Sequence, residues 1–275
     1  MYSPPTDPED KSRMHAAFDR CAAALGVKEV TGQDSWGWHG RTLSRRAWHP
    51  VNGWCWLRLL TAPADKAHGK LWEGNSEAQR LFGGRVNKPT LFDQTEEADE
   101  GNAYRAELSE FITEPVCSVG PVLQGDPDMP SSWWASLRAD LATVANTATD
   151  RVAVRQEWVN RTVPQFLGID PPEVTHWETA HGDLHPANLT NGTPYILDWE
   201  GFGRAPVGYD AAMLLSYSLL SHGFVQYVRR TFPVLETDTG RIAQIIVITE
   251  LLQAASRGDY PELVPSLRAQ VAELI

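Results

Sequence analysis

Cysteine is scarce in this 275-residue chain: Cys21, Cys55 and Cys117 are far apart, odd in number and never spaced Cys-x-x-Cys. That pattern supplies neither a disulfide framework nor a thiolate zinc site, and the three thiols read as small core residues. Positive charge is also in deficit, with Lys plus Arg at 24 against Asp plus Glu at 35, a net charge of -11. Such a balance opposes the phosphate attraction behind general nucleic-acid binding, so no nucleic-acid partner is expected. Long apolar runs are missing too. The longest, such as residues 243–252, are broken by Gln and Glu and fall short of the roughly 20 residues that span a bilayer. Residues 1–13 carry Pro, Asp and Glu where a signal peptide has a basic start and an apolar core, so a cytoplasmic location is expected. No repeat or low-complexity stretch is visible, and a chain 42% hydrophobic and 21% charged is that of a folded protein of one or two domains.

Local character divides the chain near residue 114. Before it, residues 13–25 fit an amphipathic helix, 42–47 and 54–60 read as strands joined by a turn at 50–53, 70–82 has helical spacing, and 104–112 alternates like a strand. Residues 115–130, rich in Pro, Gly and Asp, read as a connection. Beyond it, helices are expected at 131–146, from 151, and at 211–220, 240–255 and 261–274, interrupted by short strand-like stretches at 175–180 and 195–198.

Between those two stretches run His181, Gly182, Asp183, Leu184, His185, Pro186, Ala187, Asn188 and Leu189, and then Ile196, Leu197, Asp198, Trp199 and Glu200. Phosphoryl transfer needs one carboxylate to orient an attacking hydroxyl and take its proton, and oxygen ligands that hold magnesium on the nucleotide phosphates. Asp183, Asn188 and Asp198 supply that set, with an Asp followed five residues later by Asn and then by a further Asp, the kinase spacing. The competing readings are an accidental surface cluster and a histidine pair binding the metal of a hydrolase.

This stretch resembles the aminoglycoside phosphotransferase and choline kinase branch of the protein-kinase-like fold, in which Gly often stands where protein kinases have Arg, as Gly182 does here. The resemblance implies an α+β, two-lobed fold: a small N-terminal nucleotide-binding lobe, 1–114, with an antiparallel sheet and one or two helices, and a larger, mostly helical catalytic and acceptor-binding lobe, 115–275. It also implies Asp183 as base or hydroxyl-orienting residue, Asn188 and Asp198 as magnesium ligands, His181 as a brace of the loop, and Asp210, after Gly208 and Tyr209, as the support of the loop backbone.

In kinases a strand Lys touches the phosphates and is held by a helix Glu. The corresponding strand here has Arg58 instead, for which Glu77 is the expected partner and Glu73 the second choice. Guanidinium binds carboxylate and phosphate bidentately but is bulkier than an ammonium; the plain reading is an outward strand residue. Gly37 and Gly40, in the segment Gly37, Trp38, His39, Gly40, Arg41, are the only candidate glycine loop, either cradling phosphates or forming an ordinary hairpin bend. By the same resemblance, the backbone of 111–114 would meet the adenine edge.

Residues 1–114 hold 14 basic and 17 acidic residues, a balance of -3, and residues 115–275 hold 10 and 18, a balance of -8. The acidic half would steer in an amine-bearing alcohol, if the charge is more than solvation of helix surfaces. Glu200 and Trp199 are the candidates for acceptor contact, with core packing the alternative for the tryptophan. The expected activity is ATP-dependent, or GTP-dependent, and Mg2+-dependent transfer to a hydroxyl of a small polar molecule such as an amino sugar, an amino alcohol or an aminoglycoside-like antibiotic. The alternatives are a nucleotide-binding pseudokinase and a peptide Ser/Thr kinase.

Overall fold

Alternating apolar side chains in β2 (Thr42–His49) and β3 (Gly53–Pro63) close a hairpin at the centre of an antiparallel sheet. The computed structural model describes residues 3–37, 39–99 and 101–275. With β1 (Glu29–Trp36), β4 (Leu91–Asp99) and β5 (Asn102–Glu110), the sheet has the order β1-β2-β3-β5-β4. Helix α1 (Pro8–Ala24) starts where the Asp7 side chain accepts from the Glu9 N–H at 2.8 Å, a proper N-cap with Pro at the first position. Its Met14, Phe18 and Cys21 pack with Leu43, Leu57, Leu59 and Leu108 on one sheet face, all at most 2% exposed.

The opposite face carries polar residues, because α2 (Lys70–Phe82) meets it with Asn75 and Ser76. Asn75 Nδ2 donates to Glu107 at 2.6 Å, and the Arg105 guanidinium donates to Glu96, Ser76 and Gln94. These strands and helices make one unit, residues 1–80 with 89–113.

Residues 81–88 and 114–275 make the second unit; the expected boundary at 114/115 did not foresee that 81–88 leaves the first. Phe82 packs on Trp199 and Phe202, the Asn87 carbonyl accepts from the Ile196 N–H at 2.8 Å, and Asn87 Nδ2 donates to Asp140 at 2.8 Å. Eight elements follow: α3 (Ser131–Ala145), α4 (Gln156–Leu167), β6 (Trp177–Ala180), β7 (Gly203–Pro206), α5 (Tyr209–Tyr217), α6 (His222–Thr231), α7 (Asp238–Ala255) and α8 (Val264–Leu274). The core of this unit is α7, whose Ile245, Ile246, Val247, Ile248, Leu251 and Leu252 are all buried, against α4, α5 and α8.

The mixed fold expected from the sequence, antiparallel sheet first and helices after, is the fold observed. Several local expectations change. Helix α4 starts at Gln156 rather than 151, since Val152 bridges to Arg204 and the N–H groups of Ala153 and Val154 both donate to the Arg204 carbonyl, which holds that stretch extended. Residues 195–198 form no strand; Ile196 makes one bridge to Leu189, and the partner of β6 is β7. Strands β1 and β4 and helix α6 are additional. Cys21 and Cys55 are core residues as expected, whereas Cys117 is only half-buried. Among the described residues no helix is long and apolar enough to cross a membrane.

Candidate active site

Pairing of β6 with β7 sets Ala180 against Gly203, so the chain leaving β6 turns beside the residues that enter β7. The turn is made at Gly182, with φ +84°, where an added Cβ would lie 2.8 Å from the Gly201 carbonyl oxygen. Gly182→Ala is therefore expected to cost about 1–3 kcal/mol, through left-handed strain and a clash with rigid backbone. Thermal unfolding checks this: Gly258→Ala, at φ +95° with open space around it, should lower the melting temperature distinctly less.

Asp210, in the first turn of α5, holds the loop. Its Oδ2 accepts from the His181 N–H at 2.7 Å and its Oδ1 from the Gly182 N–H at 2.9 Å. Burial lifts its carboxyl to about 7, against the two hydrogen bonds, and Glu178 and Asp183 add repulsion. His181 is fully buried, its Nε2 2.8 Å from the Leu197 carbonyl and its ring edge-on to Trp199. Nε2 donates there and Nδ1 accepts from the Asp183 N–H at 3.3 Å, a neutral ring consistent with a basicity that burial lowers. With Nε2 engaged in this way, the two histidines do not form a metal-binding pair, and the hydrolase reading has no site.

Asp183 presents a side chain 46% exposed. Asn188 Nδ2 donates to its carbonyl at 2.9 Å and reaches its Oδ2 at 3.4 Å. Burial would raise this carboxyl, but His185 and the Asn188 amide outweigh it and hold the group below the usual carboxylate range. It is an ionised acceptor at neutral pH.

The Asn188 carbonyl accepts from the Leu197 N–H at 2.9 Å, which brings the start of the Asp198 turn beside Asn188. Asp198 holds a left-handed backbone, φ 57° and ψ 68°, which a non-glycine residue adopts at a cost of about 1–3 kcal/mol. Since Nδ2 of Asn188 is committed to Asp183, its Oδ1 is left as a ligand oxygen. Among the described residues no group of three His, Cys, Asp or Glu forms a cage. An amide oxygen and a carboxylate fit a hard divalent cation that takes its remaining ligands from phosphate and water.

Trp199 and Glu200 follow Asp198 in the same turn. Trp199 is 1% exposed, donates Nε1–H to the Ile196 carbonyl at 2.8 Å and packs on Phe82, His181 and Phe202. It is a core brace beneath the loop, the packing alternative left open by the sequence, and not an acceptor-facing ring. Glu200 is partly exposed, and its carbonyl accepts from Arg151 at 3.0 Å.

In the first unit, Glu77 is bonded to Arg80 of its own helix at 2.7 Å, and Glu73 accepts from the Gly69 N–H at 3.2 Å. Both expected partners of Arg58 are thus used locally. The sheet register instead sets Arg58 directly opposite Glu107, 1% exposed, and residues opposite each other share a face. Sequence reasoning missed Glu107; its signal was an acid between Ala106 and Leu108 in a strand, legible only once the β3–β5 register is known. The Gly37 N–H donates to the Thr42 carbonyl at 3.0 Å and the Gly40 N–H to the Gly37 carbonyl at 3.2 Å. Those amides close a hairpin bend; Trp38, between them, lies outside the described residues.

Residues 120–239 match the model of the APH, or phosphotransferase enzyme, family. No curated protein matches the chain. Among solved structures, it is similar to an amicoumacin kinase, hAmiN, in complex with AMP-PNP, Ca2+ and Ami, with a TM-score of 0.59 and 13% identity over 97% of this chain and 95% of that one. It is also similar to a macrolide 2'-phosphotransferase type I, with a TM-score of 0.52 and 15% identity over 98% of each chain. The matched segment includes Asp183, Asn188, Asp198 and Asp210. The resemblance read from residues 181–189 is therefore borne out, and the enzyme class it implied, a phosphotransferase, is that of the family model.

Proposed function

We propose, from the phosphotransferase-family segment at 120–239, that this chain transfers the γ-phosphoryl group of ATP to a hydroxyl of a small, polar, amine-bearing molecule. GTP is the alternative donor. The observation that carries the reading is the arrangement at Asp183: an ionised, half-exposed carboxylate on a residue pinned through its backbone carbonyl to Asn188, with Asp198 brought alongside through Leu197. Asp183 orients the hydroxyl and accepts its proton. Asn188 and Asp198 hold the divalent cation, magnesium in this reading, which neutralises phosphate charge when bound. The nucleotide analogue and Ca2+ bound by the amicoumacin kinase support a nucleotide and a divalent metal here. The excess of 18 acidic over 10 basic residues in 115–275 supports an amine-bearing acceptor, with Glu200 as its first candidate contact. A cytoplasmic location belongs to the same proposal.

On the nucleotide side, Arg58 is proposed to meet phosphate, with Glu107 rather than Glu77 as its carboxylate. Most of the rate gain comes from positioning and charge stabilisation.

The test is incubation with Mg2+, ATP and a library of amino sugars, amino alcohols and antibiotics, read by mass spectrometry for the gain of one phosphate. Product formation that EDTA abolishes and Mg2+ restores is expected. Arg58 in place of a strand Lys motivates a second reading, a nucleotide-binding pseudokinase with little turnover. Thermal stabilisation by ATP and Mg2+ without any product would establish it over the first. Mass gain on a peptide Ser or Thr would replace the small-molecule acceptor.

A further inference from the structure

His185 is buried, its side chain 4% exposed, and belongs to none of the roles above. Its Nε2 stands 3.6 Å from Asp183 Oδ2 and 3.3 Å from Asn188 Nδ2. The Tyr217 ring meets the imidazole edge-on, with centroids 5.3 Å apart at 73°, and Tyr217 is in turn edge-on to Tyr260 at 5.3 Å. The ring is thus held from behind by aromatic packing and directed at the carboxylate.

The tautomer follows from charge. A bare lone pair on Nε2 would face a carboxylate oxygen at 3.6 Å, whereas an N–H there is attracted to it. Asn188 needs no acceptor on the ring, since its two amide hydrogens go to the Asp183 carbonyl and Oδ2. With the proton on Nε2, the buried and unpartnered Nδ1 is an unused acceptor; the other tautomer would bury an orphaned N–H, the rarer and worse arrangement. The separation of 3.6 Å is that of a contact not yet tightened, as catalytic hydrogen bonds often are without substrate.

We infer that His185 is a positioning residue that tethers Asp183 through Oδ2 and so commits Oδ1 to the acceptor hydroxyl. Asn188 Nδ2 at 3.4 Å and His185 Nε2 at 3.6 Å both face Oδ2, and no described residue bonds Oδ1. In the transfer step the hydroxyl oxygen forms the new bond to the γ-phosphorus. The bond from that phosphorus to the bridging oxygen breaks, its electron pair leaves on the nucleoside diphosphate, and the proton goes to Asp183 Oδ1. This rests on the phosphotransferase reading, and its test separates the two.

Three variants of the full chain are compared with wild type: His185→Ala, His185→Gln and Tyr217→Leu. A carboxylate free to turn by about 1 Å loses on the order of 100-fold in rate. His185→Ala is expected to lower kcat about 100-fold while KM for ATP stays within about twofold, the pattern of a group that acts on the reacting geometry. His185→Gln, which restores an N–H donor at similar reach, should recover at least about tenfold of that loss. Tyr217→Leu should lower kcat about tenfold by releasing the ring. A kcat within about threefold of wild type in His185→Ala, or equal losses in the Ala and Gln variants, overturns the inference. If wild type transfers no phosphate, the phosphotransferase reading fails and the inference is decided by crystal structures instead. Asp183 should then leave its wild-type rotamer in His185→Ala and keep it in His185→Gln; an unmoved carboxylate in both would sink it.

Discussion

Asp183→Asn is expected to lower kcat for phosphoryl transfer about 10²–10⁴-fold, the contribution of a positioned proton acceptor. The amide has the shape of the carboxylate it replaces, but it offers no anionic oxygen to the hydroxyl proton. The side chain is 46% exposed and its main contact within the loop, from Asn188 Nδ2, goes to the backbone carbonyl. Folding therefore survives, with a melting temperature within about 3 °C of wild type. Nucleotide binding with Mg2+ survives as well, because Asn188 and Asp198 are untouched. Steady-state kinetics beside isothermal titration with a nonhydrolysable ATP analogue checks both halves. A variant that keeps a tenth or more of wild-type kcat would remove Asp183 from the chemistry.

Asp210→Ala carries the largest expected loss of stability. Two backbone N–H groups, of His181 and Gly182, lose their acceptors at once inside a buried loop, and each orphaned donor costs about 1–3 kcal/mol. Chemical denaturation measures the sum, and activity should fall with it, since the same N–H groups fix the approach to Asp183.

The charge of Asp210 makes a separate signature. Burial raises its folded carboxyl to about 7, against about 3.9 in an unfolded chain. Between those values the folded state binds more proton than the unfolded state. The stabilising contribution is full below about pH 4 and is lost as pH rises through about 7. Asp210→Asn, which cannot titrate, should show a shallower decline of unfolding free energy across that window. An unchanged slope would mean that Asp210 is ionised throughout.

The site was more legible in the sequence than the sheet that precedes it, for physical reasons. Asp183, Asn188 and Asp198 lie within 16 residues of one another in short loops where spacing largely dictates geometry. Asp210, 27 residues beyond Asp183, was reached through the resemblance, and its place under the loop depends on β6 and β7 pairing. Strands β1 and β4 escaped because both are sheet edges with no buried residue, and β4, with its run of Glu and Asp, carries little of the apolar alternation that marks a half-buried strand. Helix α6 was hidden by a short polar start at His222 and Gly223, whose backbone is ordered by Asp126 from 95 or more residues away: its carboxylate accepts from Ser221 Oγ and from the Gly223 and Phe224 N–H groups. The Arg58 partner failed for a related reason. The interval to Glu77 resembles that of the family, but cross-strand register decides the neighbour, and register is not written in either strand alone. Trp199 was ambiguous because an indole packs or lines a cleft equally well; here its N–H closes on the Ile196 carbonyl within the same loop.

The central claim is that Asn188 and Asp198 present oxygen to a cation beside Asp183. Crystals grown with Mn2+ and a nonhydrolysable ATP analogue test it most directly, through the anomalous signal of the metal. The account predicts a peak about 2.0–2.4 Å from Asn188 Oδ1 and from a carboxylate oxygen of Asp198, with phosphate oxygens completing the shell. A nucleotide bound with its metal on other residues, or with Asn188 and Asp198 contacting only water, would contradict it.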